Sequence, residues 1–195
     1  MLKNKVAVVT GGTRGIGYAI VEKFLKNGAK VVLFGSRQET VEKAIASLKA
    51  ENETWEVSGA WPVLTDAGAV AAEMAKIKET YGKIDILVNN AGVSDSTPIG
   101  KYTAEHFAKV MDLNVNGMMN GILSVVEIMK EQGGGCILNT SSMVSLCGQP
   151  GGVAYPTSKY AVNGLTWSLA RELGPYNIRV NAVAPGITRT DMVAA

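Results

Sequence analysis

Tyr155 and Lys159 are the residues of this sequence that are best suited to acid–base chemistry. They stand four positions apart in a segment with helical periodicity, and this spacing places both side chains on one face of a helix. A free tyrosine titrates near pH ~10 and is a poor base at neutrality, but a neighbouring ammonium group stabilises tyrosinate. Tyr155 can then exchange a proton with a substrate oxygen. By itself, such a pair would more simply be a surface aromatic residue beside a solvated charge.

A glycine-rich segment follows the first apolar run, residues 6–9. Its glycines at positions 11, 15 and 17 form the pattern GxxxGxG immediately before a helical segment. Gly11 permits a tight turn, Gly15 lets backbone N–H groups approach a pyrophosphate, and Gly17 lets the helix pack close to the sheet. The helix N-terminus offers further N–H groups to the anion. Because a strand precedes the pattern and a helix follows it, dinucleotide binding is favoured over a plain turn.

Short apolar runs alternate with longer amphipathic segments along the whole chain. The predicted strands span residues 6–9, 31–34, 57–63, 84–88, 136–139 and 178–183. The predicted helices span residues 15–27, 39–51, 66–81, 104–132 and 153–173. This alternation predicts an α/β Rossmann fold, a doubly wound parallel sheet between two helical layers, with ligands beyond the carboxyl ends of the strands. We expect a single domain over residues 1–195, since this length supports one sizeable core.

Composition excludes several other classes of function. With 19 basic and 17 acidic residues the net charge is +2, which gives no support to a nucleic-acid or membrane-surface partner. No apolar run is long enough for a membrane span or a signal-peptide core. The two cysteines, Cys136 and Cys147, match no metal or redox motif, so we expect no metal site and a cytoplasmic protein. We also expect the substrate to be a small molecule.

The motifs, taken in order, resemble those of the short-chain dehydrogenase/reductase family over nearly the whole chain. Besides the glycine loop, the resemblance rests on NNAG at 89–92, Asn114, Ser141 and Ser142, YPTSK at 155–159 and PGITRT at 185–190. It implies an NAD(P)(H)-dependent oxidoreductase that transfers a hydride between the nicotinamide and a carbonyl or secondary alcohol. The alternative is a dinucleotide-binding sensor or an inactive fragment, although a pure binder does not need the proton chemistry of these residues.

The resemblance also implies a role for each site residue. Ser142 would polarise the substrate carbonyl, Tyr155 would be the acid or base, and Lys159 would also bind the nicotinamide ribose. Asn114 would hold a water molecule in a proton relay toward Lys159. The implied cofactor-binding residues are Gly11, Thr13, Arg14, Gly15, Ile16, Gly17, Ser36, Arg37, Leu64, Asn90, Ala91, Gly92, Tyr155, Lys159, Pro185, Gly186, Ile187 and Thr190.

The residues after the second predicted strand bear on the choice of cofactor. A carboxylate there would bind the ribose of NAD, but this sequence has Gly-Ser-Arg at 35–37. Arg37 can pair with a 2′-phosphate, Ser36 can donate a hydrogen bond to it, and Arg14 adds positive charge, so NADP(H) is favoured. Glu39 leaves NAD(H) open, and both arginines could instead be solvated surface charges. The family's adenine-contacting aspartate is replaced by Val63, which implies apolar contact with the adenine.

The substrate is predicted only by class. Among members of the family, the sequence resembles bacterial hydroxysteroid dehydrogenases and 3-oxoacyl-carrier-protein reductases. Four residues near the catalytic pair suggest an apolar pocket wall: Met143, Val144, Leu146 and Val153. Family members usually continue with a lid helix, a further helix and a seventh strand, which we expect to be missing here and to leave the strand at 178–183 as an apolar edge. The resemblance implies a homo-oligomer, a dimer or tetramer, assembled through the helices at 104–132 and 153–173.

Overall fold

The computed structural model describes residues 1–189, and the predicted cofactor residue Thr190 lies outside the described residues. The strands are β1 (Val6–Thr10), β2 (Lys30–Phe34), β3 (Val57–Ala60), β4 (Ile86–Asn89), β5 (Gly135–Thr140) and β6 (Ile178–Val183). The α-helices are α1 (Gly15–Lys26), α2 (Gln38–Glu51), α3 (Ala67–Tyr81), α4 (Ala104–Met111), α5 (Met118–Glu131), α6 (Val144–Cys147) and α7 (Ala154–Leu173). Except where noted below, the predicted boundaries differ from these by at most two residues.

The six strands form one parallel sheet in the order β3-β2-β1-β4-β5-β6. The order reverses between β1 and β4, because successive crossovers run outward from β1 in opposite directions. A crevice forms at such a switch point, beyond the carboxyl ends of the two strands. The predicted doubly wound Rossmann fold is confirmed.

The central strand β1 shows why the sheet is covered on both faces. Its five residues are all buried. Because successive side chains of a strand point to opposite faces, Val6 and Val8 pack in one core with α3, α5 and α7, whereas Ala7 and Val9 pack in a second core with α1 and α2. This explains why the strand reads as a continuous apolar run rather than an alternating one.

The single helix predicted over residues 104–132 is wrong in its middle. A π-helix, Asp112–Gly117, separates α4 from α5. Its wider turn places Asn114 in the interior, where its side chain bonds to both the N–H and the carbonyl of Val93. The apolar periodicity stays helical through this segment, so it does not reveal the wider turn.

The strand predicted over residues 57–63 ends early, at Ala60. Pro62 has no N–H to continue the ladder of hydrogen bonds, and both neighbours, Trp61 and Val63, are exposed. The chain therefore leaves the sheet and forms a loop at its carboxyl edge.

The strand β6 pairs with β5 and is an edge of the described sheet, as the sequence predicts. Its final residue, Val183, is 41% exposed. Within residues 1–189, none of the helices combines the length and apolarity needed to cross a bilayer.

Candidate active site

In the loop from β1 to α1, main-chain atoms of separate residues lie in close contact. Gly11 adopts a left-handed conformation with a φ of 65°. A Cβ atom at Gly17 would overlap the carbonyl oxygen of Gly11, so only glycine lets the first turn of α1 lie this close to the strand. Arg14, which precedes α1, provides no side-chain cap, and the first turn contains no acidic residue. The first N–H groups of α1 are therefore suited to bind an anion.

A polar bridge joins the ends of β1 and β4 beneath this loop. The Thr10 hydroxyl accepts hydrogen bonds from the backbone N–H groups of Asn90 and Ala91, each at 3.0 Å. The Asn90 side-chain amide donates to the carbonyls of Thr10 and Gly11, at 3.2 and 3.3 Å. These bonds hold the two strand ends in register at the switch point. Asn90 is thus a brace of the sheet as well as a predicted cofactor contact.

A cavity of about 520 Å³ lies at this switch point, within the range of small-molecule sites. It brings together most residues predicted from the sequence, namely Gly11, Thr13, Arg14, Gly15, Ile16, Ser36, Leu64, Asn90, Ala91, Gly92, Ser142, Tyr155, Lys159, Pro185 and Gly186. The glycine loop and the catalytic candidates therefore share one cavity, although they are separated by more than 120 positions in the sequence.

Four predicted residues within the described part of the chain do not line the cavity. Gly17 packs under Gly11 instead. Arg37 is an exposed residue immediately before α2, and Ile187 is 96% exposed. Asn114 is fully buried beside the cavity wall, where it holds Val93. These four residues belong to the same motifs as the residues that line the cavity. Spacing in the sequence does not tell which members of a motif contact the cavity.

Sequence reasoning gave no site role to nine residues that line the cavity: Phe34, Gly35, Pro62, Thr65, Val93, Leu113, Thr140, Ser141 and Thr188. Most of them end a strand or follow a strand end. Since ligands bind beyond the carboxyl ends of parallel strands, this position was the available signal for the residues at 34–35, 93 and 140–141. Leu113 had no such signal, because the π-helix places it there. Val63, at the position of the family's adenine contact, also lines the cavity.

Ser142, Tyr155 and Lys159 face the same space. The Lys159 ammonium lies 5.6 Å from the centre of the Tyr155 ring and donates a hydrogen bond of 2.7 Å to the Thr140 carbonyl. Among residues 1–189, the one hydrogen bond of the Ser142 hydroxyl is a long one, accepted at 3.4 Å from the N–H of Val144. Lysine has three donors and the serine hydroxyl can rotate, so both groups keep hydrogen-bonding capacity for a ligand.

Burial changes the acidity of Lys159. The residue is only 4% exposed. Burial disfavours the charged form and lowers the pKa of Lys159 to about 8, well below the usual value for lysine. The group can therefore gain or lose a proton close to neutral pH, as a residue in a proton relay must.

Asn114 ties three parts of the site together. Its side-chain oxygen accepts from the N–H of Val93 at 2.8 Å, and its amide donates to the Val93 carbonyl at 2.9 Å and to the Ser158 hydroxyl at 3.0 Å. Ser158 in turn donates to the Tyr155 carbonyl at 2.7 Å. The loop after β4, the π-helix and α7 thus form one hydrogen-bonded unit around the catalytic candidates.

A second network fixes the turn that carries Ser142. The Ser141 hydroxyl donates to the side-chain oxygen of Asn163 at 2.7 Å, and the Asn163 amide donates to the Ser145 hydroxyl at 2.9 Å. Ser145 donates to the Ser142 carbonyl at 2.7 Å. The turn after β5 is therefore bound directly to α7, which also carries the tyrosine and the lysine.

This arrangement agrees with what the chain resembles. The profile of the family described as short chain dehydrogenase matches residues 5–195. A 3alpha-hydroxysteroid dehydrogenase of Mediterraneibacter gnavus is 63% identical over 195 residues, which cover 100% of this chain and 78% of that protein. The chain belongs to the short-chain dehydrogenase family. A 3-oxoacyl-[acyl-carrier-protein] reductase of Chlamydia muridarum is 36% identical over 192 residues, 98% of this chain and 77% of that protein.

Two solved structures share the fold over most of this short-chain dehydrogenase. Levodione reductase superposes with a TM-score of 0.95 at 34% identity, covering 99% of this chain and 75% of that one. NAD⁺-bound xylitol dehydrogenase superposes with a TM-score of 0.90 at 36% identity, covering 95% and 71%. The chain is accordingly an oxidoreductase that uses NAD(P)(H) to act on the CH–OH or carbonyl group of a small molecule. This confirms the reaction class that the motifs predict.

Proposed function

We propose that this enzyme oxidises a secondary alcohol, or reduces the matching ketone, on an apolar substrate of the hydroxysteroid or 3-oxoacyl type. The observation that carries the proposal is the convergence of Ser142, Tyr155 and Lys159 in the cavity that the glycine loop also lines. Residues 1–195 would act as one domain that supplies both the cofactor-binding and the catalytic groups.

The cavity fits a nicotinamide dinucleotide at its glycine-lined end. Only glycine at position 17 lets the start of α1 lie this close to Gly11, and the uncapped start of α1 offers N–H groups to phosphate. Pro185 and Gly186 line the cavity together with the catalytic candidates, where the nicotinamide would be held. When bound, the nicotinamide would supply or accept the hydride. The predicted contact of Thr190 is kept as part of this proposal.

Side chains of the protein would transfer the proton to and from the substrate oxygen. Tyr155 would donate its phenolic proton to the carbonyl oxygen during reduction and remove a hydroxyl proton during oxidation. Ser142 would donate a hydrogen bond to the same oxygen, which stabilises the charge that develops there. The Lys159 ammonium would stabilise tyrosinate. Asn114 would position α7 and, through its remaining hydrogen-bonding groups, hold a water molecule that returns protons to Lys159.

Apolar side chains next to the catalytic residues in sequence support an apolar substrate, although none of them is among the residues that line the cavity in the described chain. Met143, Leu146 and Val153 flank the catalytic serine and tyrosine in sequence and are 54%, 71% and 42% exposed. The Met143 sulfur approaches Gly186, which lines the cavity. Exposed apolar side chains of this kind commonly bury against a ligand. Since the relative at 63% identity is named a hydroxysteroid dehydrogenase, a hydroxysteroid is the first candidate and a 3-oxoacyl thioester the second.

A substrate panel tests this proposal. NADPH oxidation would be measured with a 3-oxosteroid, a 3-oxoacyl thioester and a small polar ketone at equal concentrations. We expect the highest kcat/KM for the steroid and the lowest for the polar ketone. Preference for the polar ketone would contradict the apolar substrate class, and dinucleotide binding without turnover of any substrate would support the sensor or fragment instead.

For the cofactor, we propose a preference for NADP(H), with NAD(H) as the alternative. Arg14 and Ser36 line the cavity near the end of β2, and no carboxylate is among its lining residues within the described chain. Arg37 is exposed and would have to turn toward the 2′-phosphate. A higher kcat/KM with NAD(H) than with NADP(H) would contradict this preference.

We also propose a homo-oligomer, a dimer or tetramer, in a cytoplasmic location. Exposed apolar and aromatic residues on the two long helices support an interface: Leu123 of α5 is 62% exposed and Trp167 of α7 is 69% exposed. Light scattering coupled to size exclusion would measure the mass in solution. A monomer at micromolar concentration would contradict the predicted assembly.

A further inference from the structure

The catalytic helix α7 begins without a cap of its own. Val153, the residue before it, has helical φ and ψ angles and provides no side-chain hydrogen bond, and the first turn contains no acidic residue. The first N–H group, that of Ala154, is instead accepted at 3.3 Å by the hydroxyl of Tyr102, which is 52 positions away in sequence. A residue from another part of the fold therefore occupies the role that a serine or aspartate usually has at a helix start.

The Asp95 carboxylate interacts with this hydroxyl. The Tyr102 hydroxyl, together with the N–H and hydroxyl groups of Thr97, lowers the pKa of Asp95 to about 2. The Thr97 N–H bond to Asp95 measures 2.9 Å, and the second carboxylate oxygen is shielded from solvent and has no hydrogen-bond partner within residues 1–189. Asp95 is thus charged at every physiological pH, and the Tyr102 hydroxyl favours this charged form while its oxygen accepts from the helix.

Backbone contacts lock the same two segments together. The N–H of Gly152 donates to the Thr97 carbonyl at 2.9 Å, and the side-chain amide of Gln149 donates to the Asp95 carbonyl at 2.8 Å. Gly152 has a φ of 72°, and a Cβ atom there would overlap the Asp95 carbonyl. Two hydrogen bonds and one close backbone approach therefore hold the loop before α7 against the loop after β4.

Tyr155 is the residue that this contact controls most directly. It is the second residue of α7, next to Ala154, and its N–H donates to the Gly152 carbonyl at 3.2 Å. Any loosening of the first turn would move the phenol relative to Lys159, which lies one turn further along the same helix. Proton transfer is sensitive to displacements of this kind.

We infer that Asp95 and Tyr102 form an external cap on α7 and act as positioning residues for Tyr155. The inference rests on the proposed function, in which Tyr155 transfers the proton. His106 also faces the cap: its ring lies 5.4 Å from that of Tyr102, and its Nδ1 accepts the Thr103 N–H.

Hydrogen exchange tests the cap without any activity. Tyr102→Phe removes the hydroxyl and keeps the ring, and Tyr81→Phe is the matched control, because Tyr81 also has one side-chain hydrogen bond, to Ser58 at 3.0 Å, far from α7. We expect the amides of Ala154, Tyr155, Thr157 and Ser158 to exchange about tenfold faster in Tyr102→Phe than in the control. Equal exchange in the two variants would overturn the inference.

Kinetics test the consequence for the tyrosine. We expect Tyr102→Phe to lower kcat about tenfold while the dinucleotide dissociation constant stays within about twofold of wild type. Asp95→Asn removes the charge next to the Tyr102 hydroxyl and should lower kcat by a smaller factor, about threefold. Tyr81→Phe should change neither quantity.

Three outcomes distinguish a positioning cap from a general contribution to folding and from a failure of the proposed reaction. Loss of dinucleotide binding together with activity in Tyr102→Phe would assign the hydroxyl to general folding and overturn the inference. An unchanged kcat in Asp95→Asn would overturn the role of the carboxylate. A wild-type protein without turnover would overturn the proposed function, whereas the exchange result would still decide whether the external cap exists.

Discussion

The end of the cavity where we propose that the dinucleotide binds is made largely of backbone, whereas the proposed catalytic end is made of buried side chains. At the first end, Gly11 and Gly17 touch through main-chain atoms and the start of α1 presents N–H groups. At the second end, Asn114, Ser158 and Lys159 are all at least 96% buried and are held by side-chain hydrogen bonds. The first end should therefore be sensitive to added atoms, and the second to lost polar groups.

The largest effect is expected at the catalytic end. Tyr155→Phe removes only the phenolic hydroxyl, so kcat should fall by about 10³-fold because general acid–base catalysis is lost. The dinucleotide dissociation constant, measured by fluorescence titration, should change less than about twofold, since the backbone end is untouched. Tyr160→Phe, at an exposed tyrosine of the same helix, is the control. A near-normal rate in Tyr155→Phe would exclude the proton role of this residue.

The contrast is sharpest when a single carbon is added at the backbone end. Gly17→Ala places a Cβ against the Gly11 carbonyl, so α1 must move away from β1. Overpacking of this kind costs about 2 kcal/mol, and we expect dinucleotide affinity to fall by about thirtyfold. Isothermal titration would measure the affinity and urea unfolding the stability.

Gly164→Ala is the matched control for that substitution. Gly164 lies within α7, and a Cβ there meets no atom within 4 Å. Alanine is the better helix former, so this variant should be up to about 1 kcal/mol more stable than wild type and bind dinucleotide normally. Similar affinity losses in both variants would contradict the idea that close backbone approach shapes this end.

The same contrast explains how far the sequence predicts the molecule. The backbone end can be predicted from the sequence, because only glycine permits such a close backbone approach and the spacing of glycines is visible along the chain. The parallel sheet can also be predicted, since its strands are continuous apolar runs. Tyr155 and Lys159 were marked by their chemistry at helical spacing, and the resemblance to the short-chain dehydrogenases added Ser142 and gave the pair its role.

What the sequence does not reveal depends on contacts between distant segments. The wider turn of the π-helix leaves the apolar period intact, and Tyr102 reaches Ala154 across 52 positions with no local pattern to mark it. Arg37 follows a strand end, as a cofactor residue should, yet it lies on the exposed side of the turn into α2. Side-chain direction at strand ends is set by tertiary packing, which spacing does not encode.

A smaller effect is expected from the brace at the catalytic end. Asn114→Ala removes three hydrogen bonds and leaves the N–H and carbonyl of Val93 without these partners. We expect the free energy of unfolding to fall by about 2 kcal/mol and kcat to fall about tenfold. Asn116→Ala, an exposed asparagine of the same π-helix, should change neither. If the two variants behave alike in urea unfolding and turnover, Asn114 does not brace the site.

The smallest effect joins the two ends through Lys159. Burial lowers its pKa to about 8, so the ammonium form is present below that pH and is lost above it. Because the negatively charged reduced dinucleotide favours the ammonium form, its affinity should be constant below about pH 7 and weaken about threefold by about pH 9. Lys159→Met should bind more weakly at neutral pH and lose this dependence. A flat profile in the wild-type protein would show that the lysine charge does not couple catalysis to cofactor binding, and the two ends would then be independent.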